Sequence, residues 1–404
     1  MSEFPGKGKV AIVKTSPETI LDDIARVMEL AGFREALPKG PTTALKINIS
    51  WQTWYPACSS APWQIEGVGL ALKNAGYTDI VGVHNDTVVV DARDGEFNNK
   101  HKFVTDKLGI PCIYLYEEQF EWFEYRPKRP FLVLDKVYPQ GVFIPKALVG
   151  KNIVHLPTVK THVFTTITGA MKNAFGGLLH RNRHWTHSVI HDTLVDLLMI
   201  QQGIHPGVFA VMDGTFAGDG PGPRAMRWHE KDVLLASADQ VAIDAMSAKL
   251  QGFDPMSIRF IRKAHELGLG VGDPKQIQVV GHDLGQEPSW NFKQEDTFAS
   301  RGQKLIYHGP LKPLEKLMLQ TPLVPWSYFA SNFYHNVYWY PFVGRPRVAA
   351  ALETKWGQLF KNYGDGKVVM PGMEPKTVAV AAGGLAALAA AATLGAWWLL
   401  RNRG

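Results

Sequence analysis

Short apolar runs alternate with longer amphipathic ones from the start of the chain, and this rhythm constrains the fold more than any other feature. KVAIVKT (9–15) reads as a strand, a helical pattern follows over 17–32 with Ser16 as a candidate cap, and ALKINIS (44–50) reads as a second strand. A helix over 63–76 is stopped by Gly76, and DIVGVHN (79–85) is the next strand. Further strands are expected at 111–116, 142–148, 152–159, 207–213, 232–238 and 277–281, with helices near 187–202, 239–251 and 256–268. Alternation of this kind predicts an α/β fold with a largely parallel sheet and helices on its faces.

The chain has 404 residues, 46% of them apolar and 20% charged, which suffices for a packed core. Its net charge of +6 is mild for this length and argues against nucleic acid as the partner. Cys58 and Cys112 are the only cysteines, so the chain alone builds no four-cysteine iron–sulfur cluster or zinc site and no disulfide framework. The expected division is an α/β domain over 1–285, an aromatic-rich extension over 286–376, and an anchor over 377–400.

The anchor is expected because residues 377–400 carry no charge. As a helix they would span roughly 35 Å, more than the ~30 Å hydrocarbon core. Trp397 and Trp398 would sit at the interface, with Arg401 and Arg403 beyond. The alternative is a buried alanine-rich helix. No secretory signal is read at the N-terminus, so the expectation is a single-pass C-terminal membrane anchor with the main domain in the cytoplasm. Residues 326–342 hold nine aromatics in 17 positions, which suggests a membrane-apposed collar or, equally, a lid or core cluster.

The chemistry concentrates where acids are missing: residues 136–191 contain no Asp or Glu. Lys46 and Asn48 lie two apart at the end of the second strand and share a face there. In HLPTVKTH (155–162), Pro157 is expected to end the pairing ladder, so that Lys160 and His162 project at the sheet edge. Repulsion from the lysine keeps His162 neutral, as a base or ligand. TGAMKNAFGG (168–177) flanks Lys172 and Asn173 with Gly169, Gly176 and Gly177, a pattern suited to cradling an anion although it is not a P-loop. HRNRHWTHS reads as a loop closed by a Thr186 cap, after which His187 and His191 begin a helix and offer metal ligands. MDGTFAGDGPGP (212–223) reads as a strand that ends at Asp213, an orienting acid, and then a loop around Asp219 and Gly220 that shapes a pocket. Asp239 is expected to cap the helix that contains Asp244.

These segments, with ASADQVAIDAMSAKLQG and the early KINIS, resemble in order the family called domain of unknown function 362, over roughly 8–282. Many relatives carry a ferredoxin-type cysteine domain that this sequence lacks. A more distant similarity is to the nickel-pincer lactate racemases, carried by the spacing of His162, Lys172 and His187. That resemblance implies a proton- or hydride-handling His162, a cofactor tether at Lys172 and a metal ligand at His187, with VHNDT (83–87) as the candidate for a further catalytic histidine region. The flanking glycine and lysine pattern of the racemases is not reproduced. The expectation is a membrane-anchored enzyme of racemase or oxidoreductase type acting on a small anionic substrate. It would use a transition metal (nickel, iron or zinc) or a nickel-pincer nucleotide, and a redox partner protein is a further candidate. His162, Lys160 and Asp213 would be catalytic; Lys172, Asn173, Gly176, Gly177, Lys46, Asn48, Asp219 and Gly220 would bind the cofactor; His187 and His191 would hold the metal. The alternative is a non-catalytic protein that holds a metal or cofactor for a membrane partner complex.

Overall fold

Among the described residues twelve strands are formed: β1 Lys9–Lys14, β2 Thr43–Ile47, β3 Ile80–His84, β4 Cys112–Tyr114, β5 Trp122–Glu124, β6 Phe143–Pro145, β7 Asn152–Leu156, β8 Thr158–His162, β9 Thr166–Thr168, β10 Val208–Asp219, β11 Arg227–Ser237 and β12 Gln278–Gly281. The computed structural model describes residues 3–85, 90–282, 289–319 and 333–370, with backbone alone at 181, 318 and 319. The main sheet runs β12-β1-β11-β10-β7-β2-β3-β4. Its pairs are parallel except β1–β11 and β11–β10, and β8 extends it along β10 with β9 antiparallel beside β8. The expected α/β sheet is largely parallel, and its antiparallel pairs make it mixed.

Strand periodicity divides the core in two. In β1, Val10 and Ile12 face one hydrophobic cluster, and Ala11 and Val13 face the other. β2 and β7 split the same way: Ala44 and Ile153 on one side, Leu45 and Val154 on the other. Helices Ile190–Ile204, Gln240–Gln251 and Arg259–Glu266 cover the first face; Ile20–Ala31 and Pro62–Asn74 cover the second. Helix Ile20–Ala31 presents Ile20, Ile24, Val27, Met28 and Ala31, one stripe at helical spacing, and ends on Gly32 at φ 79°.

Three sequence expectations are corrected. Pro157 does not end the ladder: its carbonyl accepts from the Asp213 amide at 3.0 Å, and pairing resumes at once with β8 on β10. Asp213 does not close a strand either, because β10 continues to Asp219 paired with β11, with a register shift between Gly214 and Phe216. The glycines there are packing glycines: a Cβ on Gly214 would meet Val233 Cγ2 at 2.7 Å. The helix expected from residue 187 begins at Ile190, after 3-10 turns over Arg181–Val189, and Thr186 donates back to the Arg183 carbonyl at 2.9 Å instead of capping.

The transmembrane helix is also withdrawn from the architecture. Among the described residues no helix is long and apolar enough to cross a membrane, and residues 377–400 lie outside the described residues. The aromatic segment over 326–342 is described from residue 333 onward. There Trp339 and Tyr340 are buried in the second core against Trp51 and Tyr55, while Tyr338 and Phe342 are exposed.

Candidate functional site

Residues at the C-terminal ends of β2 and β8 line a cavity of about 330 Å³. Its walls come from the strand ends (Lys46, Asn48, His162), the 168–176 turn (Thr168, Lys172, Asn173, Gly176), the 3-10 segment (Arg183, His184, His187) and the loop at 221–224 with Arg224. Helix Phe298–Tyr307 adds Ser300, Gln303 and Tyr307. Its volume suits a small molecule.

The lining carries Lys46, Lys172, Arg183 and Arg224 and no Asp or Glu among the described residues. Burial first, and then the nearby Arg183 charge, depress the Lys46 ammonium to about 7. Lys172 is likewise depressed to about 7 by burial, with Lys160 and Arg183 adding to it. Desolvating a cation costs several kcal/mol unless a counter-charge returns it. Among the described residues the lysines meet neutral partners: the Lys46 ammonium donates to the Ile47 carbonyl at 2.6 Å, and Lys172 sits 5.5 Å from the Phe175 ring centroid.

The two central histidines have opposite roles. His162 Nδ1 accepts from the Phe164 and Thr165 amides at 3.1 and 3.3 Å. Burial holds the ring neutral, well below its usual titration, helped by Lys172 and His187. A neutral ring that accepts at Nδ1 carries its proton on Nε2, so His162 offers a donor and no free lone pair. His187 is the converse. Its Nδ1 lies 2.9 Å from the His184 carbonyl and must donate, which leaves the lone pair on Nε2. Burial lowers His187 to about 4. Its ring stacks on Tyr307, with Phe164 and Phe175 set edge-on. Of the two, His187 is therefore the one able to take a proton or hold a metal.

The turn that carries Lys172 is held from behind. Asp244 accepts from the Ala170 and Met171 amides at 2.6 and 3.1 Å, and burial raises its carboxyl to about 7. A Cβ on Gly169 would collide with that carboxylate. Asn173 Nδ2 donates to the Lys46 carbonyl at 2.8 Å and ties the turn to β2. Gly177 gives clearance to the Lys46 stem, which a Cβ there would meet at 3.2 Å.

Of the residues expected at the site, Lys46, Asn48, His162, Lys172, Asn173, Gly176 and His187 line this one cavity. The others stand elsewhere. Lys160 lies behind the wall, its ammonium donating to the Cys58 carbonyl and the Thr158 hydroxyl at 2.7 and 2.6 Å. Asp213 accepts from the Trp63 indole at 3.0 Å and the Thr215 amide at 2.7 Å. Asp219 pairs with Arg227 at 2.9 Å, and Gly220 follows it in the same corner. His191 stacks on Phe260 from the first turn of the next helix. Sequence reasoning missed Arg183, Arg224 and Tyr307. The acid-free stretch was a signal for Arg183; Arg224 and Tyr307 arrive from remote segments and left none.

The family model described as "Domain of unknown function (DUF362)" matches residues 43–249, which contain most of the cavity's walls. The chain belongs to this family. It is also similar to a thylakoid-associated protein of Synechocystis, at 28% identity over 260 residues that cover 62% of this chain and 76% of the relative.

Proposed function

We propose that this member of the family is an enzyme that binds a small anionic molecule in the basic cavity and moves a proton on it. The observation that carries the reading is a cavity that brings Lys46, Lys172, Arg183 and Arg224 together, with both lysines depressed to about 7 by burial. The anion would recover the desolvation energy of these cations. His162 Nε2–H would donate to it, and the His187 Nε2 lone pair, fixed by the His184 carbonyl, would accept its proton. Charge developing on the substrate would be met by Lys46 and Lys172, cations already oriented before the reaction. The chemistry in view is of the racemase or oxidoreductase type, at a carbon bearing a hydroxyl.

Should a transition metal occupy the cavity, His187 Nε2 is the side-chain atom placed to hold it, and the ion would supply Lewis acidity. Lys172, depressed to about 7, is a largely neutral amine in mild alkali, as a covalent cofactor tether requires. Added mass on Lys172 in the intact chain would support that refinement.

The second reading is a non-catalytic binding protein, favoured by the donor tautomer of His162, which suits ligand holding. One experiment separates the two. Small hydroxy acids and phosphate esters that bind are incubated with the chain in D₂O and read by proton NMR. Exchange of the carbon-bound proton that is lost in His187→Gln, with binding kept, supports the enzyme. Binding without exchange of any proton leaves the carrier.

The thylakoid-associated relative supports a location at a membrane for this chain as well. Recovery in a washed membrane fraction is the expected outcome; recovery only in the supernatant would contradict it.

A further inference from the structure

Beside the basic cavity, three side chains of metal-ligand type converge. His84 ends β3 and Cys112 begins β4, and their parallel pairing sets Gly82 opposite Cys112 and His84 opposite Tyr114. Alternate residues share a face, so His84, Cys112 and Tyr114 point the same way. Gly82 leaves the room that the sulfur fills: a Cβ there would stand 2.6 Å from Cys112 Sγ. Glu96, on helix Ala92–Asn98, closes over this face. One ligand atom from each of the three lies within 4.8 Å of the other two.

His84 and Glu96 are each 2% exposed, and His84 Nε2 and Glu96 Oε1 have no hydrogen-bond partner. They face each other at 3.7 Å, too far for a hydrogen bond. Each unmet buried polar atom costs about 1–3 kcal/mol. The surroundings nonetheless hold both groups in place. The Tyr114 hydroxyl donates to the other Glu96 oxygen, and the Tyr114 ring stacks on His84 with centroids 5.5 Å apart. Groups held from outside while their inner atoms stay unpaired describe a ligand shell.

We propose that His84, Glu96 and Cys112 bind a divalent transition metal of the zinc type in the wall of the cavity. The nitrogen, oxygen and sulfur set suits a borderline-soft ion, and three protein ligands leave a fourth position open. A tetrahedral ion with bonds of about 2.0–2.3 Å keeps its ligand atoms about 3.3–3.8 Å apart. The His84–Glu96 separation already satisfies this, and a rotation of the Cys112 side chain completes the set. Binding exchanges the thiol proton for the metal: the S–H bond breaks, a sulfur–metal bond forms, and one proton leaves. The site is separate from the roles assigned to Lys46, Lys172, His162 and His187, although His84 also touches the cavity.

The test uses the full chain stripped with chelator and titrated with cobalt(II) chloride. One equivalent should produce a near-ultraviolet thiolate-to-cobalt band, which zinc then removes. Zinc should also protect Cys112, and not Cys58, from maleimide labelling, a readout that needs no variant. Cys112→Ser should abolish the band, Glu96→Gln should weaken cobalt binding by about tenfold or more, and His187→Gln should leave the band intact. No band at saturating cobalt, or a band that survives Cys112→Ser, overturns the proposal. Failure of anion binding would leave the cobalt result standing, so the two readings fail separately.

Discussion

Two clusters of charge lie near the β10–β11 hairpin, and they are built on opposite plans. At one, Asp219 accepts from Arg227 at 2.9 Å and from the Lys293 amide at 2.7 Å, while Arg227 also reaches Glu295 at 2.8 Å. Every charge there has its opposite. At the other, Lys46 is buried and Lys172 half-buried at the cavity, and neither has a carboxylate partner among the described residues. The paired cluster is complete as it stands and serves stability. The two lysines cost stability where they stand, and under the proposed function a bound anion offsets that cost. Charge balance among the described residues, more than burial, separates the two clusters.

The sharpest way to break this comparison is to remove the two lysine charges of the cavity. Lys46→Met combined with Lys172→Met should lower anion affinity by at least about a hundredfold, at roughly 1.5–3 kcal/mol for each charged hydrogen bond lost. The same variant should melt higher than the parent at pH 7, because burying two ammonium groups no longer costs energy. Calorimetry and thermal denaturation check the two halves, and a variant that binds normally would sink the assignment.

Next in size is the support behind Lys172. Asp244→Asn keeps the shape but loses one of two acceptors for the Ala170 and Met171 amides, and should cost about 1–3 kcal/mol of stability. Anion affinity should fall with it, since the turn that carries Lys172 loosens. Denaturant titration alongside binding reads both effects.

Arg227→Met addresses the paired cluster. It should cost about 1–2 kcal/mol, part of the ion pair being solvent-screened, and leave anion affinity unchanged. An affinity change of more than a few-fold would blur the distinction drawn here.

Acidity gives the subtlest prediction. The folded values of Lys46 and Lys172, about 7, lie below the 10.5 of an unburied lysine. Between these values the unfolded chain binds more protons, so these groups make the ligand-free protein gain stability as pH rises from about 7 to 10. Anion binding runs the other way. It requires the charged lysines and should weaken as pH rises above 7, by up to tenfold per unit for each proton taken up. Melting curves and binding isotherms across this range should slope in opposite directions.

Much of this site was legible in the sequence because its cations lie on a few contiguous stretches. The alternation of strands and helices placed Lys46 and His162 at strand ends, and the glycines around Lys172 marked a turn. What the sequence hid depends on pairing between distant segments. The glycine-rich run after Asp213 looked like a loop, yet Gly214 sits in a strand because Val233 crowds it from β11. Asp213 and Asp219 thereby moved from the expected pocket into the body of the sheet and its paired corner. Tyr307, which stacks on His187, comes from a segment more than a hundred residues away. The His84–Glu96–Cys112 cluster depends on the β3–β4 register, which no local pattern reveals. The choice between donor and acceptor for His162 and His187 rests on single backbone contacts and could not be read from spacing.

The central proposal is that the basic cavity binds a small anion against Lys46 and Lys172. Calorimetric titration of the full chain with inorganic phosphate, pyrophosphate and lactate, at pH 8 in two buffers of different ionisation heat, tests it most directly. The account predicts saturable binding of at least one of these anions with net proton uptake, as Lys46 and Lys172 become charged against it. Binding without proton uptake, or no binding of any of the three, would contradict it.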